Sequence, residues 1–187
     1  MDLDSPTCYS LPDFPQIIHV VAKLTLGVSL LKEISGQDSN DKDSIFSANF
    51  KLLGIKYKEI FDLEQAISLT PYEIDDAMYK KSLNFLTQRD QGWLVIVLAK
   101  VNAYDDIAEL IRNVFSNTNH LPSDSKFTVN QLQEMSVIVS PSPEASYKRI
   151  FSYFSESELS KGLELSEVVF SIYSRVNLIT NRNTILN

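Results

Sequence analysis

One uninterrupted apolar run constrains the fold of this chain more than any other feature. Residues 93–99, WLVIVLA, are seven consecutive apolar residues with polar sequence on both sides. A membrane-spanning helix needs about 20 apolar residues, so the run is too short, and Asp90 and Lys100 lie at its flanks. A run of this length that is rich in Val and Ile is consistent with a buried strand as well as with a core helix.

The residues that follow the run favour the helix. Apolar side chains recur there mostly at intervals of three and four residues, which places them on one face of a helix. They are Leu94, Val97, Leu98, Val101, Tyr104, Ala108, Ile111 and Phe115. The spacing predicts a core helix of about six turns. Its first half is deeply buried, its second half turns Asp105, Asp106 and Glu109 towards solvent, and a break at Asn102 is the alternative.

Helical spacing also dominates the rest of the chain. The segments that carry such an apolar stripe are 17–34, 46–67, 70–86, 128–139, 142–154 and 155–176. Thr70, Thr128 and Ser155 are each followed three residues later by Glu or Gln, the capping box that begins many helices. Ser142 precedes Pro143, a residue that suits the first turn of a helix. The chain has only five glycines, whereas all-β proteins use glycine in many tight turns.

These patterns predict an all-α fold. We expect a single compact bundle of about six to seven helices, with the C-terminal helices packed as a small appendage. Residues 1–13 form an N-terminal tail in this prediction, 14–140 the helical core, and 141–187 a C-terminal helical pair packed on the core with a frayed end. Two polar segments, 36–44 and 116–126, have the composition of linkers.

Charge and cysteine content exclude several classes of protein. The formal net charge of −7 repels phosphate backbones, so we expect no nucleic-acid partner. Segment 17–34 approaches membrane length, but His19, Lys23 and Lys32 interrupt it, and such groups are costly in lipid, so we expect no membrane partner. The acidic start, MDLDSP, is unlike a signal peptide, and the single cysteine, Cys8, cannot form an internal disulfide. These features predict a cytoplasmic protein.

Candidate nucleophiles and phosphate-binding loops are scarce. The sequence contains neither a G-x-S-x-G elbow nor a glycine-rich phosphate loop. Ser29 and Lys32 have the S-x-x-K spacing but lie inside an apolar segment without companion motifs. His19 lies between apolar residues and is interpreted as a core histidine, whereas His120 lies in a polar loop. We therefore predict no catalytic residue, no metal site and no cofactor, and we favour a protein that is not an enzyme.

Paired acids support one alternative, an enzyme. Glu59 and Asp62 form one pair at i, i+3, and Glu73 and Asp76 form another on the next predicted helix. Such spacing places both carboxylates on one helical face, and two facing pairs could bind Mg²⁺ through oxygen ligands. This alternative is a magnesium-dependent, all-α nucleotide hydrolase. Against it, 24 acids on amphipathic helices produce such pairs routinely.

The function that we favour is a non-enzymatic protein–protein interaction module, such as an adaptor, an assembly factor or an inhibitor. It acts through apolar and aromatic helix faces, and its partner is another protein, a second copy of this chain included. Ten Phe, eight Tyr and one Trp supply aromatic side chains of the kind that concentrate at interface centres. The apolar stripes also exceed what one small core requires, most clearly in segment 17–34.

Overall fold

The described part of the chain contains a β-sheet. The computed structural model describes residues 15–35, 50–116 and 126–159. The strands in these residues are β1 (Gln16–Lys23), β2 (Lys51–Lys58), β3 (Trp93–Lys100) and β4 (Val137–Val139). They form one antiparallel sheet in the order β2-β3-β1-β4, so β3 and β1 are the inner strands.

Helices cover both faces of this sheet. In the described residues they are α1 (Leu24–Ser35), α2 (Leu63–Leu69), α3 (Tyr79–Thr87), α4 (Ala103–Ser116), α5 (Val129–Ser136) and α6 (Pro143–Tyr153), followed by a 3-10 turn (Glu156–Glu158). One apolar core lies between the sheet and α1 and α4. A second core, rich in aromatic side chains, lies between the sheet and α2, α3, α5 and α6. The predicted all-α helical bundle is therefore wrong, and the fold is α/β.

The apolar run that opened the sequence is the inner strand β3. Seven of its eight residues are buried. Because alternate side chains of a strand point to opposite faces, Leu94 and Ile96 enter the first core and Trp93 and Val95 enter the second. A strand covered on both faces is apolar throughout, and its continuous run hides the two-residue period. The predicted six-turn helix is wrong in its first half, and the break at Asn102 (φ 56°) separates β3 from α4.

Segment 17–34 divides in the same way. Its first part is β1, which pairs with β3 along its whole length, from Gln16 opposite Lys100 to Lys23 opposite Trp93. The helix α1 begins only at the next residue, Leu24, whose N–H donates to the carbonyl of Gly92 at 3.1 Å. The prediction of one continuous helix failed because β1, like β3, is buried on both faces.

Two other predicted helices contain strands as well. Within segment 46–67, Lys51–Lys58 form the outer strand β2, which pairs with β3 and has a register shift between Leu52 and Gly54, and α2 begins at Leu63. The end of segment 128–139 forms β4, where Val20 of β1 lies opposite Val139.

The capping motifs predicted the starts of helices more accurately than the apolar stripes predicted which segments are helical. The side chain of Thr128 caps α5 in a reciprocal pair with Gln131, and the side chain of Ser142 caps α6, as predicted. Thr70, in contrast, ends α2, and α3 begins nine residues later at Tyr79. Local hydrogen-bond motifs are readable from sequence because both partners lie within one turn.

Parts of the prediction fall outside the described residues. These are the N-terminal tail at 1–13, the first linker at 36–44, most of the second linker, and the end of the C-terminal pair beyond residue 159. None of the described helices is long and apolar enough to cross a membrane.

Candidate ligand-binding groove

An open groove of about 420 Å³ lies between α3 and the residues that precede α5. The described residues that line it are Lys81, Asn84, Phe85, Gln88, Lys126 and Phe127. Its volume falls in the range of small-ligand sites, which combine apolar walls with a few polar groups.

One face of α3 supplies three of the six lining residues. They are Lys81, Asn84 and Phe85, spaced at i, i+3 and i+4, and a fourth lining residue, Gln88, follows the helix as its C-cap. Packing against the rest of the protein holds α3 in place, because the helix buries Ser82, Phe85 and Leu86. The Ser82 hydroxyl also accepts a hydrogen bond from the Thr70 hydroxyl at 2.8 Å. The aromatic base of the groove is thus held by packing, while the lysine and the two amides face outward.

The opposite wall is positioned by a helix cap. Phe127 immediately precedes Thr128, whose N–H donates to Gln131 Oε1 at 3.0 Å while its hydroxyl accepts from the Gln131 N–H at 3.3 Å. The Phe127 ring meets the Phe85 ring edge to face, with centroids 5.9 Å apart and an interplanar angle of 77°. Such a pair contributes about 0.5–1.5 kcal/mol beyond area burial, and it joins the two walls of the groove.

The groove is lined by positively charged side chains, although the net charge of the protein is negative. Lys81 and Lys126 line it, whereas none of its six described lining residues carries a carboxylate. The cleft between α2 and α6 differs, because Asp62 and Glu64 line it. A negatively charged ligand therefore meets favourable charge in the groove and repulsion in that cleft.

An ion pair between a buried lysine and a solvent-accessible aspartate lies behind the groove. Lys23 is 1% exposed, and its Nζ lies 2.7 Å from Asp90 Oδ2 and 2.8 Å from Oδ1. The ammonium also lies 4.7 Å from the ring centroid of Phe85 and 4.0 Å from that of Trp93. Burial lowers the pKa of Lys23, and the hydrogen bond that its ammonium donates to Asp90 opposes that shift. Lys23 therefore supports the aromatic wall and does not itself line the groove.

His19 is a core histidine, as the sequence predicted. It is 0% exposed, its Nδ1 lies 3.4 Å from Ser140 Oγ, and its ring stacks on Tyr153 with centroids 5.3 Å apart. Burial first, and the charge of Arg149 second, lower the pKa of His19 to about 3. The imidazole is neutral at physiological pH and out of reach of solvent. His120 and Cys8 lie outside the described residues.

The remaining sequence candidates have local structural roles. Ser29 bonds the carbonyl of Thr25 at 3.2 Å within α1, so the S-x-x-K spacing marks no exposed nucleophile. Glu59 pairs with Arg89 at 3.0 Å. Asp62 caps α2, and Asp76 Oδ1 accepts the Met78 N–H at 2.6 Å.

These acids do not assemble into a metal site. The Glu73 carbonyl accepts the Asp76 N–H at 3.0 Å in a turn, so the second predicted pair lies outside any helix. Across the part of the chain that the structure describes, no group of three or more His, Cys, Asp or Glu side chains is placed to hold a metal ion.

Sequence reasoning missed the groove entirely. The signal in the sequence was Lys81 and Asn84 beside Phe85, which at helical spacing form a mixed polar and aromatic face, with Gln88 following at the end of the helix. Phe127 lies about 40 positions away in the chain, and only tertiary structure brings it to this face.

No protein-family model and no curated protein matches this chain. Solved structures of nucleoside diphosphate kinases are similar to it. The structure from Aquifex aeolicus has a TM-score of 0.51 and 16% identity, over 78% of this chain and 99% of that chain. The Halobacterium salinarum structure, in complex with CDP, has a TM-score of 0.47 and 16% identity, over 82% of this chain and 97% of that chain.

The similarity to the Aquifex structure supports the α/β fold, and at 16% identity it shows the fold alone. The α/β fold itself overturns the two functions predicted from the sequence. The interaction module was to act through the faces of a helical bundle, and the magnesium-dependent hydrolase was to be all-α. Both are wrong, because a four-stranded sheet occupies the centre of the described residues.

Proposed function

We propose that this protein binds a nucleotide in the groove between α3 and Phe127. The observation that carries the proposal is the combination of side chains in one groove: an aromatic pair, two amides and two lysines. A base stacks on aromatic rings, amides bond base edges, and ammonium groups attract phosphate. Each part of a nucleotide thus has a matching group.

Fold similarity and charge add support. The Aquifex structure is named as a nucleoside diphosphate kinase, so the same architecture accommodates nucleotides in another protein. Fold alone does not carry function. The net charge of −7 makes the lysine-lined groove the better place for phosphate, since the acid-lined cleft beside α6 repels it.

The proposed activity is binding, with no turnover of the nucleotide in the groove. None of its six described lining residues carries a hydroxyl, thiol, imidazole or carboxylate, the groups that most often act as nucleophile or general base. The nearby Lys23 is held by Asp90, and His19 is buried and neutral.

Calorimetric titration of the full chain with AMP and ADP tests the proposal. We expect saturable binding that Lys81→Met weakens by about three- to tenfold, because a partly exposed lysine–phosphate contact contributes on the order of 1 kcal/mol. Lys80→Met is the matched control, since Lys80 precedes Lys81 on α3 but does not line the groove. The absence of binding by both nucleotides, or equal losses in the two variants, would reject the groove as a nucleotide site.

Binding of another protein, which the sequence also predicts, is independent of the groove. Exposed apolar side chains such as Leu63 and Ile67 on α2 and Phe151 on α6 support it. It stays a prediction, as do the expectations of no nucleic-acid and no membrane partner.

A further inference from the structure

Resting on the nucleotide binding proposed above, we infer that the groove favours purine nucleotides, because the base stacks on Phe127 alone. The two aromatic rings of the groove differ in exposure. Phe85 is 6% exposed, whereas Phe127 is half-buried. A base can stack only on a ring face that it can reach. The groove therefore offers one stacking platform, and the base is not clamped between two rings.

Contacts inside the protein already occupy the Phe85 ring. The Lys23 ammonium lies over it, 4.7 Å from its centroid. Trp93 and Phe127 meet it at interplanar angles of 83° and 77°, each with centroids 5.9 Å apart. To stack on the face beside Lys23, a base would have to displace an ammonium that Asp90 holds at 2.7 Å. Leaving that ammonium buried without its partner is strongly unfavourable, so Phe85 supports Phe127 and is not a second platform.

Phe127 is held in place by contacts within the protein. The edge-to-face contact with Phe85 positions its ring, and the reciprocal cap between Thr128 and Gln131 positions the backbone at the next residue. A platform that is already ordered loses little conformational entropy when a base is placed on it. The ring is therefore ready for stacking without rearrangement of the groove.

A single stacking face favours the larger bases. Stacking buries the faces of both ring systems, and the stabilisation grows with the area that is buried. A purine has two fused rings and a pyrimidine has one, so a purine buries more area against Phe127. Besides Phe85, none of the other described lining residues is aromatic, so no second platform in them compensates for the smaller area of a pyrimidine.

Titrations of the full chain with AMP and UMP test this inference. We expect AMP to bind about three- to tenfold more tightly than UMP. Phe127→Leu keeps an apolar side chain but removes the ring face, so it should weaken AMP about five- to tenfold and reduce the preference for AMP over UMP. Phe151→Leu is the matched control, because Phe151 is exposed on α6 and does not line the groove, and it should leave both Kd values unchanged.

The outcomes separate this inference from the proposal on which it rests. Equal binding of AMP and UMP, or a change in Phe127→Leu that is the same for both nucleotides, overturns stacking on Phe127 while leaving the groove as a nucleotide site. If neither nucleotide binds, the nucleotide proposal itself fails.

Tryptophan fluorescence gives a second readout, which a purely structural role of Phe127 would not change. In Phe127→Trp, a base stacked at this position contacts the new indole and quenches its emission. AMP should quench this variant and leave the parent protein unchanged, because the parent's only tryptophan, Trp93, is 0% exposed. A Phe127→Trp protein that binds AMP without quenching would show that the base lies elsewhere in the groove.

Discussion

His19 illustrates how burial changes the chemistry of a single residue. The imidazole lies between Ser140, the residue after β4, to which it is hydrogen-bonded, and Tyr153 of α6, on which it stacks. Its backbone N–H also donates to Ser146 Oγ at 3.2 Å. With no solvent access and with Arg149 nearby, the protonated form is strongly disfavoured, so the pKa falls to about 3. The residue therefore couples the stability of the fold to pH.

We predict that this protein loses stability as the pH falls below 6.5. In the unfolded chain His19 has a pKa near its ordinary value of 6.5, whereas in the folded chain it is about 3. Between these values the unfolded state binds a proton that the folded state does not, so protonation favours unfolding. At pH 5 the loss is about 2 kcal/mol, measurable by urea denaturation at a series of pH values.

The two histidines of the chain allow a matched comparison for that prediction. His19→Gln should flatten the dependence of stability on pH between pH 6.5 and 5, whatever its effect at neutral pH. His120→Gln should leave the dependence intact. If the slope survives in His19→Gln, then another group titrates in this range, and the attribution to His19 is wrong.

At the scale of elements, close approach of α1 to β3 depends on one glycine. A Cβ added at Gly27 would lie 3.0 Å from Leu94 Cδ1 and 3.1 Å from Leu94 Cβ. The Cδ1 atom can move by a change of rotamer, but the Cβ atom is fixed to the backbone of an inner strand. The helix can therefore pack this closely on the sheet only while position 27 has no side chain.

Gly27→Ala should destabilise the protein by about 1–2 kcal/mol, because the overpacked contact outweighs the gain of up to about 1 kcal/mol in helix propensity. Ser29→Ala, on the same helix and only half-buried, is the control and should change stability by less than about 0.5 kcal/mol. Denaturant midpoints of the two variants measure the difference. A Gly27→Ala protein as stable as the parent would show that α1 shifts freely on β3.

Elements were only partly predictable from the sequence. The caps at Thr128 and Ser142 correctly began α5 and α6, because a cap is decided within one helical turn. β1 and β3 were read as helices, because a strand buried on both faces shows no alternation and the following helix continues the apolar pattern. The face of α3 could be predicted in part from Lys81 and Asn84, whereas its contact with Phe127 could not.

At the scale of the whole molecule, the decisive interactions are non-local. Val20 lies opposite Ile96 in the sheet, a pairing across 76 positions of the chain, and neither residue carries a local sign of the other. Local sequence patterns therefore predicted the surrounding helices but not the central β-sheet. That sheet decides the fold class, and with it the groove, because α3 and α5 reach each other only by packing on the same face of the sheet.

The sheet also predicts where the molecule is most resistant to opening. The inner strands β1 and β3 are hydrogen-bonded to neighbours on both sides, whereas α3 has one face in the open groove. We expect the amides of Gln16–Lys23 and Trp93–Lys100 to exchange hydrogen most slowly, with free energies close to that of global unfolding, and those of Tyr79–Thr87 to exchange through smaller local openings. Native-state hydrogen exchange read by mass spectrometry measures both. Equal protection of β3 and α3 would mean that the groove-lining helix opens only with the whole fold, in which case a ligand in the groove should stabilise every element alike.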